Sequence, residues 1–268
     1  MILFYINRTN REYTKQYSAQ SRTIFHLFLQ VTQNIYRSIV FLCAETPDDK
    51  SRKQSYILSG IPLLRVLMDI VFNIAFISED VENRIGWYYK SGWREMKEMY
   101  NRCCVRSDIG TKQNNWLSNF KSYISETKSG YLISDKEEAE LKTIKRWPIP
   151  CHMKKYTKQP LSNYFQYLDD WFYKEFSQAS HLSLPGLSNI GGIFIKDRVE
   201  DEAEYFKKKR TDVYICTVMM VLSVLSEFEY IVKYGEKEKL KFIWTFIGEY
   251  SDDCKELYYK RYLTLLAS

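Results

Sequence analysis

Residues 59–77 read SGIPLLRVLMDIVFNIAFI. Almost every side chain in this stretch favours burial, yet Arg65, Asp69 and Asn73 interrupt it at steps of four. In a helix a step of four advances only about 40° around the axis, so the three polar groups share one narrow face. The stretch therefore predicts a buried helix that carries an Arg-Asp-Asn stripe, and the stripe needs partners on a neighbouring helix. Buried charge without a partner is too costly to persist.

The rest of the chain agrees with a helical reading. It has 268 residues, of which 45% are hydrophobic and 27% charged, a globular rather than a disordered composition. Only 10 glycines and 6 prolines interrupt it, so helices have room to run long. The formal charge of +6 permits an anionic partner without demanding one. None of the six cysteines is spaced C-x-x-C, which predicts a reduced, cytoplasmic protein. The opening MILFYINRTNREYTK lacks the pattern of a signal peptide. The second apolar run, 213–226, is short for a bilayer and leads into Glu227 and Glu229, so no membrane association is expected.

Helical periods place elements at 10–45, 52–77 with Pro62 inside, and 78–106 with Ser78 as N-cap. A shorter helix covers 112–126. SDKE, residues 134–137, forms a capping box that opens a helix to about Lys145. RWPIPCHMKKYTKQP, residues 146–160, holds three prolines and reads as irregular. Further helices run over 161–182, from VEDEAE to near Gly235, and over 236–266 as one helix or a broken pair; GIFIKD is the one candidate for a short extended piece. The expected fold is all-α: one domain, 1–268, a single bundle of seven or eight helices with little or no strand.

Three groups of residues bear on chemistry. The stripe is the first, and its structural reading is an ion pair and amide network that fixes helix packing. The second is FSQASHLSLPG, residues 176–186, where Ser177 and His181 share a face that Asp170 and Lys174 extend backward. His181 falls near the helix end, where the dipole favours an imidazolium suited to acid–base work; its structural alternative is a C-terminal cap. The third is Arg146 to His152, an R-x5-H spacing within the range of the HEPN ribonucleases, although Pro148 and Pro150 interrupt the helix that such a motif opens. The loop around it, with Lys154 and Lys155 among its cations and Trp147 and Tyr156 among its rings, has the composition of a single-stranded RNA contact or of a solvated loop. There is no glycine-rich phosphate loop, no G-x-S-x-G elbow and no H-E-x-x-H, so no metal and no cofactor is expected.

Taken together, PLLRVLMDIVFNIAFI (62–77), WYYKSGWREMK (87–97) and YLDDWFYKEFSQASHLS (167–183) resemble a bacterial all-helical family catalogued as domain of unknown function 5677. These pieces cover about a third of the chain. The family often has Glu where this chain has Asp69, a shorter acid. The resemblance implies a HEPN-like bundle, and relatives of that kind act in phage defence or toxin systems. It also pairs the stripe helix with the His181 helix. On that basis Arg65, Asp69 and His181 are the expected catalytic groups. Asp69 would orient His181 and Arg65 would hold phosphate charge. Asn73, Ser177, Ser180, Arg146, His152, Lys154 and Lys155 are expected to contact substrate. The expected function is a cytoplasmic RNA- or nucleotide-acting effector that cleaves without metal, as a homodimer or a subunit of a larger defence complex. Two alternatives stand beside it: a non-catalytic helical interaction module whose network is structural, and a small-ligand sensor.

Overall fold

The computed structural model describes residues 1–9, 12–44, 50–105, 110–180 and 202–268. Among them every regular element is helical and none is a strand, so the protein is all-α. GIFIKD lies outside the described residues. The chain gathers into two compact units where the sequence reading draws no boundary. The first comprises residues 1–16, 25–79 and 150–268, and the second residues 17–24 and 80–149.

In the first unit, α1 (Ile2–Thr9) precedes the long α2 (Ala19–Cys43) and α3 (Lys50–Ile77). The sequence reading does not anticipate a helix at α1; its Tyr5 is fully buried. Pro62 lies inside α3 at an exposed position, and its missing N–H leaves one carbonyl of the preceding turn without its helical bond. The chain returns to this unit through α7 (Pro150–Met153), α8 (Leu161–Leu168) and α9 (Lys174–Ser180), the last two joined by a π-helical turn over Asp169–Tyr173. Then come α10 (Glu202–Val232), α11 (Lys237–Gly248), α12 (Asp252–Leu257) and, after a second π-helical turn over Tyr258–Tyr262, α13 (Leu263–Leu265). The elements outnumber the seven or eight expected because several are single turns. One of these, α7, falls in the proline-rich segment expected to be irregular. Pro150 is its first residue, where a missing N–H costs no helical bond.

The core of the first unit forms around α3 and α10. Leu67, Met68, Val71, Phe72, Ala75 and Phe76 of α3 are completely buried, as are Met219, Met220, Val224 and Phe228 of α10. A helix with apolar residues on nearly all sides belongs at the centre of a bundle. Across its other flank, Phe72 stacks on Phe165 of α8 at 5.2 Å between ring centroids. Ser59–Ile77 and Lys207–Val232 are long and apolar enough to cross a membrane by length and composition; 61% and 78% of the 18-residue apolar window in each lie buried inside the protein.

Glu227 and Glu229, which follow the apolar run 213–226, lie inside α10, in keeping with a helix expected to run to near Gly235. Both are fully buried. Glu227 accepts from Arg261 at 2.6 and 2.9 Å. Glu229 accepts from the Tyr5 hydroxyl at 3.0 Å and from the backbone N–H of Gly235 at 2.9 Å, which secures the turn after α10. Burial, and then the charge of Glu229, drives the Tyr5 hydroxyl far above its ordinary range. Buried Thr217 and Ser223 donate to carbonyls four residues back, so these hydroxyls also have partners.

The second unit contains α4 (Val81–Cys104), α5 (Thr111–Thr127) and α6 (Asp135–Ala139). Its core gathers Trp93, Ile124, Ile133 and Ile144, with the Trp93 indole N–H donating to the carbonyl of Ile124 at 3.2 Å. The capping box is present: the Ser134 hydroxyl accepts from the Glu137 N–H, and the Glu137 carboxylate accepts from the Ser134 N–H. The helix it opens is only five residues long. Glu140 leaves helical backbone angles, and the chain turns Leu141 and Ile144 toward the Trp93 cluster. The lysine at position 90 bonds Glu137 at 2.6 Å; that bond is the main reason the Glu137 carboxyl is held down at about 2. Ser78 does not cap α4. The N-cap is Asp80, whose carboxylate accepts from Asn83, while the Ser78 hydroxyl donates to the Ala75 carbonyl.

Candidate functional site

The stripe of α3 faces α9 and the π turn that leads into it. Arg65 uses all three guanidinium nitrogens. Nε donates to both carboxylate oxygens of Asp69 at 3.3 and 3.2 Å, Nη1 to the Ser177 hydroxyl at 2.7 Å, and Nη2 to the Tyr173 hydroxyl. The guanidinium carbon also sits 4.1 Å from the centre of the Tyr173 ring, a cation–π contact. Asn73 closes the stripe by donating to the Asp69 carbonyl at 2.7 Å. Arg65 meets its partners because Tyr173 and Ser177 are four apart on one side of the facing helix, matching the period of the stripe.

Charge and burial compete here. Asp69 is paired with Arg65, yet its carboxyl lies above the usual 3.8, because desolvation outweighs the attraction of the guanidinium. Tyr173 is pushed up to about 12, first by burial and then by the Asp69 charge. For a carboxyl raised on folding, the folded state holds the proton more tightly. Its stabilising contribution is complete below 3.8 and is lost as pH rises through the folded value. Asp69→Asn removes this titration, so the stability difference between wild type and Asp69→Asn should shift against wild type as pH rises above 3.8. Urea titrations of both proteins across that range check the sign.

Of the residues singled out from the sequence, Arg65, Asp69, Asn73 and Ser177 therefore come together. His181 and the side chain of Ser180 lie outside the described residues, although the backbone of α9 is described up to Ser180. Arg146 and His152 belong to different units. Arg146 belongs to the second unit, where it donates to Glu98 at 2.7 Å, and His152 is exposed on α7 of the first. Lys154 donates to Gln166, which in turn donates to Asp170. The Lys155 side chain is exposed.

Sequence reasoning misses Tyr173. The expected face runs back from Ser177 through Lys174 and Asp170, but those two lie outward and pair with each other at 2.8 Å. For Asp170, the π turn at Asp169–Tyr173 explains the difference. Its wider winding rotates the residues beyond it, so the regular helical period cannot be extrapolated across the turn. The spacing of Tyr173 to Ser177 was the available signal.

Comparison of the chain with family models, curated proteins and solved structures finds no match.

Proposed function

We propose that this protein is a non-catalytic helical interaction module, and that the Arg65 network is a clasp holding α3 and α9 in register. One observation carries this reading: every guanidinium nitrogen of Arg65 already donates to a side chain of its own unit. An arginine held this way has little left to offer a phosphate, and its fork geometry suits fixing two helices against each other. Polar groups that specify a single packing are a known use of such networks.

A second reading draws on Asp69. A half-buried carboxyl with a raised pKa is a feature that active sites share with structural ion pairs. It leaves Asp69 available for acid–base work, and the family resemblance extends that to a HEPN-like, cytoplasmic RNA- or nucleotide-acting effector of a bacterial defence system, with His181 as its acid or base. In that role Asp69 would have to leave Arg65 or serve both partners.

Incubating single-stranded RNA with the purified protein and a chelator separates the two. The clasp reading expects no cleavage by wild type, and expects Arg65→Lys to melt earlier because an ammonium cannot reproduce the three-way fork. Cleavage by wild type that disappears in a folded His181→Ala would replace the clasp reading with the effector.

A further inference from the structure

The first unit holds a cleft of about 320 Å³, away from the Arg65 network, to which α1, α2, α10 and α11 contribute. Its floor is apolar: Val218, Val221, Leu222 and Leu225 of α10, with Ile243 of α11. Met1, Ile2 and Leu3 extend this apolar lining, and the side formed by α2 is different in kind. Gln33, Tyr36 and Arg37 line it from α2, at positions i, i+3 and i+4, hence on one face of that helix. None of the three makes a side-chain hydrogen bond or ion pair among the described residues. Arg37 contrasts in this with Arg65 and Arg261, whose guanidinium groups donate to carboxylates and hydroxyls of their own unit.

We propose that this cleft binds a small amphiphile with a carboxylate head, its tail on the α10 floor and its head on Arg37, assisted by the Gln33 amide and the Tyr36 hydroxyl. The combination of an apolar floor with a few convergent polar groups is the usual make-up of a small-molecule site, and the volume lies at the lower end for such sites. Among the described residues Arg37 is the one charged side chain in the lining, and one cationic side chain favours one anionic group. The size and the apolar floor argue against a nucleotide, whose several charges and polar base would meet aliphatic side chains. A carboxylate gives the Arg37 fork its best-matched partner, since two parallel N–H donors fit its two oxygens. The inference concerns a site separate from the clasp and does not depend on it.

The test uses the full chain with decanoate as the probe, kept below its micelle concentration, and decanol as the uncharged counterpart. Binding is read by calorimetry and by the melting temperature, which a ligand of the folded state raises. Decanoate should bind wild type more tightly than decanol. Arg37→Gln should weaken decanoate about tenfold and leave decanol unchanged, the loss expected for one charge-assisted contact. Val218→Trp, which fills the cleft from a half-buried wall position, should abolish both. Three results would overturn the proposal. One is no binding of decanoate to folded wild type. Another is equal binding of the two probes with no effect of Arg37→Gln, which would leave only an apolar docking surface. The last is binding that survives in a folded Val218→Trp.

Discussion

Arg261→Met should lower the unfolding free energy by about 3–5 kcal/mol, the usual cost of leaving one member of a buried ion pair alone. Glu227 has no exposed surface and Arg261 only 9% of its side chain. Burial by itself would lower the Arg261 pKa, but the Glu227 charge and hydrogen bonds more than offset it, so the group is held above its ordinary value. The guanidinium also donates to the Ser78 hydroxyl and lies 5.3 Å from the centre of the Tyr164 ring. Tyr164 in turn shares a 2.6 Å hydrogen bond with Tyr262. Methionine keeps much of the volume and none of the charge, so the loss reports on Glu227 rather than on a cavity. The double variant Glu227→Met, Arg261→Met should recover most of the stability, because a well-packed apolar pair often matches a buried ion pair. Urea titration of the three proteins decides it; a loss under about 1 kcal/mol in the single variant would mean that Glu227 finds another partner.

Arg65→Ala should cost about 2–3 kcal/mol, composed of about 1 kcal/mol for each hydroxyl that loses its donor and a smaller share for the ion pair. The ion pair is discounted because the Asp69 side chain is 35% exposed and water screens it. A double-mutant cycle with Ser177→Ala should show a coupling of about 1 kcal/mol, since Ser177 meets Nη1 directly. Coupling near zero would remove the clasp as an explanation of the stripe, whatever the fate of RNA in the cleavage assay.

Local sequence determined much of this protein. The apolar period of α2, α3 and α10 marks them as long helices, the stripe spacing places Arg65, Asp69 and Asn73 together, and SDKE makes its capping box where it is written. These are properties of residues within four positions of each other, and a helix makes such neighbours predictable. Tertiary structure decided the rest. Glu227 and Glu229 look in sequence like the end of an apolar run, and only Arg261 and Tyr5, far away in the chain, allow them to be buried. Asp170 left the face of Ser177 because a π turn between them shifts the helical phase, which no fixed period anticipates. Leu141 and Ile144 shortened a helix because the Trp93 cluster offered them burial. For the two glutamates and for Leu141 and Ile144, a contact between distant residues outweighed a local preference, because desolvating a charge or burying an apolar side chain involves more free energy than helix propensity does.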